Sequence, residues 1–252
     1  MDILRPNIEV SFCTTCMGRL KYLRDTLPLN LLNNQQTPSV EFVLLDYSSP
    51  DGLRTWAAEV LQEHLCTGRV VFYSVTGYKH FHHAHAKNIA HRLARGKIVC
   101  NLDADNFTGF GFAEYLIHAF STGKPIMLRS PTGIGGTFGR IALRKTDFES
   151  IGGYDERMAF GWGYEDWDLI KRAIMAGIED RYIPVQSLFL TAILQDKVER
   201  TLFNEMKSIQ CSHRRHKLLS WKSLSKHEFV ANKGKPWGTA TVTRNFSETI
   251  II

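Results

Sequence analysis

The chain has 252 residues, 44% of them hydrophobic, and a formal charge of +6. That is enough apolar material for one large core, with no run of eighteen apolar residues to span a bilayer as a helix. The charge suits anionic partners, with nucleotides, nucleic acid and an anionic membrane surface all compatible. Five scattered cysteines are an odd number and do not make a disulfide framework; Cys13-Thr-Thr-Cys16 is a lone pair, read as reduced thiols packed at a strand end. Residues 1–6 lack the basic start and apolar block of a signal peptide, so the expected location is cytoplasmic, at most peripheral to a membrane.

Residues 8–13 read as a first strand, followed by a loop with Thr14, Thr15, Gly18 and Arg19. Leu20, Leu23, Leu27 and Leu31 recur at helical spacing, with an interruption expected near Pro28. Residues 40–45 are near-continuously apolar, as a buried parallel strand should be, and end at Asp46 in turn chemistry. A helix over 53–65, a strand over 69–73 and a helix over 84–94 follow. The next strand starts at Ile98 and runs into Asp103-Ala-Asp105.

This alternation predicts an α/β fold with a mostly parallel central sheet flanked by helices. No G-x-G-x-x-G follows the first strand and no phosphate loop of the G-x-x-x-x-G-K-[ST] type occurs, so phosphate binding falls to a metal or to basic side chains. Asp103 and Asp105, spaced i, i+2, would share a face of an extended chain at a strand's carboxyl end, where open α/β sheets bind ligands. Two such hard oxygen donors suit Mn²⁺ or Mg²⁺. A solvated turn is the plain alternative.

Beyond residue 106 the spacing predicts a helix over 110–120 and strands over 125–129 and 140–144. The glycine-rich stretch 132–139 between those strands is either a close approach of backbone to ligand or a simple hairpin. Gly161-Trp-Gly-Tyr-Glu-Asp-Trp-Asp168 opens a helix to about 176. Glu165, Asp166 and Asp168 fall in its first turn, where the dipole favours carboxylates. Capping alone would explain them, but the tryptophans around them are what a sugar site needs. Residues 181–185 read as a final strand. Residues 197–219 read as one long helix with a core stripe of Val198, Leu202, Met206 and Ile209 and a basic end, His213-Arg-Arg-His-Lys217. The tail after Trp221 is turn-rich. The cluster His80, His82, His83 and His85 lacks usual zinc spacing and is read as polar contacts to a substrate or exposed surface.

Over about residues 8–190 the chain resembles GT-A fold glycosyltransferases, in the large family that contains inverting bacterial transferases. The markers are residues 10–15 with Arg19, Asp46 after the second strand, Ala86-Lys-Asn88 ahead of Asp103-Ala-Asp105, and residues 148–156. Gly161-Trp-Gly-Tyr-Glu-Asp166 is similar to a galactosyltransferase-type element also found in chondroitin polymerase domains. The resemblance implies a catalytic domain over 1–190, with a nucleotide half (1–106) and a sugar and acceptor half (107–190). Residues 191–252 would pack on it as a helical, basic C-terminal segment.

It also implies roles. Thr14, Thr15, Arg19 and Asp46 would line the nucleoside pocket, and Lys87 and Asn88 the base or diphosphate. Asp103 and Asp105 would hold the cation and the donor ribose. Trp162 and Glu165 would bound the sugar, with Asp166 as catalytic base. Relatives often add a histidine ligand after the last core strand. Residues 186–195 contain none, which leaves His213 or His216 as the expected substitute. Related retaining enzymes carry Glu-Asn where this chain has Glu165-Asp166, which favours inversion. The implied activity is transfer of Gal, GalNAc, Glc or GlcNAc from a UDP-sugar to a hydroxyl of a glycan or lipid-linked glycan. A hydroxymethylated base in DNA as acceptor, and a non-catalytic nucleotide-sugar-binding module, are the alternatives. A nucleotidyltransferase would want a glycine-rich, lysine-bearing loop, and residues 14–20 are not one.

Overall fold

The computed structural model describes residues 7–252; the segment read for a signal peptide lies outside them. In chain order the elements are β1 (Val10–Cys16), α1 (Leu20–Asn33), β2 (Val40–Tyr47), α2 (Leu53–Val60), α3 (Gln62–Thr67), β3 (Val70–Val75), α4 (His83–Leu93) and β4 (Ile98–Asn101). Then follow β5 (Asn106–Phe107), α5 (Phe112–Phe120), β6 (Ile126–Arg129), β7 (Ile141–Arg144), α6 (Lys145–Ser150), a 3₁₀ turn (Glu156–Met158) and α7 (Glu165–Met175). The chain ends with β8 (Glu179–Tyr182), β9 (Thr191–Ala192), α8 (Lys197–Thr201), α9 (Ile209–Leu224), β10 (Thr241–Arg244) and β11 (Glu248–Ile251).

Nine strands form one sheet in the order β11-β10-β3-β2-β1-β4-β7-β6-β8. β3, β2, β1 and β4 pair in parallel, as the alternation predicts. β7 enters antiparallel between β4 and β6, and β10 pairs antiparallel with the free edge of β3. The strand residues alternate between two apolar layers. Phe12, Phe42, Leu44 and Phe72 pack with residues of α1, α2 and α5. Cys13, Val43, Leu45 and Val71 pack on the other side with residues of α4 and α7.

Several readings are corrected. α1 continues through Pro28 to Asn33. Arg24 and Pro28 are both exposed, so the carbonyl that loses its partner four residues back lies on the solvent side, where water replaces it. The helix over 53–65 is two helices with a break at Leu61. The helix over 197–219 is also two. α8 ends at Thr201, Phe203 and Asn204 are taken up by contacts to residues 81 and 83, and Ser208 caps a new helix by accepting from the Cys211 N–H at 3.3 Å. Its supposed core stripe does not hold, because Val198 and Leu202 are exposed. The turn-rich tail forms the β10–β11 hairpin, which extends the sheet.

Candidate active site

A cavity of about 320 Å³ opens beyond the carboxyl ends of β1 and β4. Its lining brings together Thr15, Arg19, Lys87, Asp103, Asp105 and Trp162, with Glu165, Asp166 and His213. Thr14, Asp46 and Asn88 lie outside it. Consecutive strand residues face opposite ways, so of the two threonines only Thr15 looks in; the Thr14 hydroxyl donates to the Leu102 carbonyl at 2.8 Å. Asn88 lies behind Lys87 on α4 and clasps the backbone of Tyr154 through both its amide atoms. Asp46 accepts from the Ser49 N–H at 2.7 Å, closing the turn after β2. Burial pushes its carboxyl up to about 6.

Asp103 and Asp105 do not sit on an extended strand. β4 ends at Asn101, and a turn closed by the Asn106 N–H on the Asp103 carbonyl at 2.9 Å carries both side chains into the cavity. Asp103 accepts from Asn101 Nδ2 at 3.0 Å. Asp105 is held at both oxygens, by Asn106 Nδ2 at 2.7 Å on Oδ1 and by Gln195 Nε2 at 2.6 Å on Oδ2. Behind Asn106, the fully buried Arg140 donates from Nη2 to Asn106 Oδ1 at 2.9 Å. Burial and the neighbouring Asp103 raise the Asp105 carboxyl to about 6.

The glycine-rich stretch connects the antiparallel pair β6 and β7, as the hairpin alternative has it, and at Gly139 it also passes close to two side chains of the cavity. A β-carbon on Gly139 would stand 2.8 Å from Asp103 Oδ2 and 3.2 Å from Asp166 Oδ2, so this glycine leaves room for both carboxylates to face one space. Gly136 and Phe138 also line the cavity.

The opposite wall is the start of α7. The lead-in, residues 161–164, is a loop, and Glu165, Asp166 and Asp168 fall in the first turn of the helix, as the sequence pattern predicts. Gly163 and Tyr164 both take positive φ, 90° and 77°, and the tyrosine bears that strain at the helix entrance. Glu165 and Asp166 then open the helix. In the same turn, Asp168 pairs with the buried Arg172 at 2.6 Å, and Arg172 also donates to the carbonyls of Ile151 (2.8 Å) and Gly153 (2.7 Å). That knot anchors the helix start against the 151–153 turn.

Lys87, one helical turn after His83 on α4, reaches across to both acids. Its Nζ lies 2.7 Å from Asp166 Oδ1 and 3.1 Å from Glu165 Oε1. Burial opposes the lysine's charge, but Asp166 and Glu165 outweigh it and hold its pKa well above the usual range. Burial pushes Asp166 up, Glu165 and Asp103 push the same way, and Lys87 pulls back, leaving it near 7. For Glu165 burial also works upward, but Lys87, His83 and hydrogen bonding outweigh it, bringing it down to about 2. Two adjacent carboxylates are thus set apart, one firmly ionised and one poised to exchange a proton near neutrality.

His83, one of the histidine cluster, lines the cavity, as do Gln195 and Arg200, which no sequence motif marks. Burial lowers the His83 imidazole to about 4, and its Nε2 lies 3.1 Å from Asn204 Oδ1. Arg200 lies over the Trp162 ring at 5.5 Å. Gln195 ends the histidine-free stretch 186–195 and supplies an amide to Asp105 where a histidine ligand was expected.

The donor set of Asp103 and Asp105 is chemically right for a hard divalent cation. Among the described residues, no group of three or more His, Cys, Asp or Glu side chains is arranged to hold a metal ion. His213 lines the cavity from α9, edge-on to Tyr164 at 5.0 Å, and does not complete such a group. His216 is turned away and buried, with Nδ1 2.7 Å from the Gly163 carbonyl.

A family model described as the N-terminal domain of galactosyltransferase matches residues 117–214, which include Glu165 and Asp166 but not Asp103 and Asp105. Among solved structures, the S. aureus TarS 1-349 fragment superposes with a TM-score of 0.59 at 12% identity, covering 77% of this chain and 62% of that one. The mannosyltransferase PcManGT from Pyrobaculum calidifontis, solved with GDP-Man and Mn²⁺, gives 0.58 at 18% identity, covering 73% and 56%. The same S. aureus fragment with UDP-GlcNAc gives 0.54 at 11%, covering 75% and 60%. The chain thus spans about three fifths of the length of these structures. No curated protein sequence matches it significantly. The fold is the GT-A fold of these glycosyltransferases.

Proposed function

We propose that the chain is a metal-dependent, inverting glycosyltransferase that moves a hexose or N-acetylhexosamine from a UDP-sugar to a hydroxyl acceptor. One observation carries the reading. A cation-type carboxylate pair, Asp103 and Asp105, faces an acid–base pair, Glu165 and Asp166, across a single cavity beside Trp162. Structures of the same fold solved with UDP, UDP-GlcNAc and GDP-Man with Mn²⁺ support it, as does the galactosyltransferase model over Glu165 and Asp166.

Inverting transfer needs one carboxylate to take the acceptor's proton as its oxygen attacks the anomeric carbon. Asp166 suits this role. Its Oδ1 is held by Lys87, while its Oδ2 faces the space beside Gly139 and Asp103. The new C–O bond forms as the bond to the diphosphate breaks, and the hydroxyl proton passes to Asp166 Oδ2. Glu165 stays ionised and is an acceptor for sugar hydroxyls, with Trp162 as an apolar wall. Mn²⁺ or Mg²⁺ held by Asp103 and Asp105 would supply Lewis-acid neutralisation of charge on the departing diphosphate, its other ligands coming from phosphate and water. Arg19 and Arg200, which also line the cavity, give that diphosphate fixed positive charge. His213 is left out of the metal set.

Thermal stabilisation by nucleotides tests the donor assignment. UDP with Mn²⁺ is expected to raise Tm, and UDP with EDTA to raise it far less. A response to GDP and not UDP would reassign the base, and no response to any nucleoside diphosphate would contradict a donor site.

A further inference from the structure

α9 is built inside out for a core helix. Its buried stripe is Ser212, His216, Ser220 and Ser223, polar residues turned toward the protein. Ser212 and His216 bond the carbonyls of Trp162 and Gly163. The opposite face carries Leu218, 51% exposed, and Trp221, 65% exposed, on a stripe with Arg214 and Lys217. Arg215 and Lys222 are exposed beside them. The helix contains no Asp or Glu. None of those four cations has a carboxylate partner among the described residues, and Arg215 instead covers the Phe160 ring at 5.3 Å.

Arg200 of α8 and Ser212 of α9 both meet Trp162, and Met206 and Arg215 both meet Phe160, so the two helices flank the 160–163 loop at the cavity. Val198 of α8 is also exposed, at 72%.

Unpaired cations interleaved with exposed leucine and tryptophan on a helix free of acids match a surface that lies in the boundary of an anionic bilayer. Leu218, an aliphatic side chain exposed among those cations, has no counterpart in a nucleic acid, whose phosphates would engage the cations alone. We propose that the outer face of α9 docks the protein on an anionic phospholipid surface. This deepens the glycosyltransferase reading by placing the acceptor's source at a membrane. The attachment itself is read without any sugar transfer, so either reading can fail alone.

The test is co-sedimentation of the full chain with phosphatidylcholine vesicles, with and without phosphatidylglycerol, at low and high salt. Binding is expected only with phosphatidylglycerol and is weakened by salt. Arg214→Gln with Lys217→Gln should lower the partition coefficient by about fivefold per cation. Leu218→Ser with Trp221→Ser should also lower it, and both double variants should keep the wild-type circular dichroism melt. Equal partition onto neutral and anionic vesicles, no partition onto either, or partition unchanged by both double variants would overturn the proposal. So would salt-sensitive binding to duplex DNA with vesicles ignored.

Discussion

Lys87 donates from Nζ to Asp166 Oδ1 at 2.7 Å, joining the middle of α4 to the first turn of α7. The same ammonium lies 3.1 Å from Glu165, so one buried cation serves two adjacent acids. It cannot satisfy both fully. Glu165 is driven down to about 2, while burial leaves Asp166 raised to about 7.

If Asp166 is the base, Asp166→Asn should cut turnover by about 10²–10⁴-fold. UDP affinity should change little, because the amide keeps the shape and can still accept from Lys87. Single-turnover rates beside calorimetric UDP titration check this. A loss of UDP affinity as large as the loss of turnover would make Asp166 a binding residue.

The pH dependence has a definite sign. The base works ionised, and burial first of all raises its pKa toward 7. With Mn²⁺ saturating, so that Asp105 stays ionised, log(kcat/KM) should therefore rise with pH, with unit slope below about 7 and a plateau above. Lys87, held well above the usual lysine range, stays charged throughout that window. Glu165, near 2, stays ionised across it. A profile flat from pH 5 to 8 would argue against Asp166 as the titrating group.

Lys87→Met removes the cation and leaves two buried carboxylates side by side. Breaking such a pair costs about 3–5 kcal/mol. A triple variant that adds Glu165→Gln and Asp166→Asn should recover much of the lost Tm, because the stranded charges go with the lysine. Chemical denaturation of the single and triple variants measures this. Equal stability of the two would show that the ion pair matters little to the fold.

The Asp105 carboxylate is oriented from both sides, by Asn106 and Gln195, with Arg140 behind Asn106. Outer-shell partners of this kind are typically worth 10–100-fold in metal affinity. Asn106→Ala and Gln195→Ala should each weaken Mn²⁺ binding by about that much, read by electron paramagnetic resonance titration in the presence of UDP. Gly139→Ala should weaken it too, since the added methyl would press on Asp103 Oδ2.

The parallel half of the sheet and the two acidic motifs were legible because each rests on a short local pattern. The apolar runs of β1 and β2 and the carboxylate pairs at 103–105 and 165–166 need no long-range information. What was not legible depends on side-chain direction or distant partners. Thr14 and Thr15 look alike in sequence, yet strand geometry sends only Thr15 into the cavity. Asn88 follows Lys87 but clasps Tyr154, because successive helical residues point about 100° apart. Gln195 and Arg200 enter the site only through the fold of residues 191–201 against β5 and Trp162. The β10–β11 hairpin was missed because its strands pair with β3, far back in the chain.

The most direct measurement is release of nucleoside diphosphate from a panel of nucleotide-sugars, with Mn²⁺ or with EDTA, for the wild type, Asp105→Ala and Asp166→Asn. The account predicts slow release from a UDP-hexose or UDP-N-acetylhexosamine that needs the metal and is lost in both variants. Release that persists with EDTA and in both variants would contradict a cavity built from Asp103, Asp105, Glu165 and Asp166 as the site of transfer.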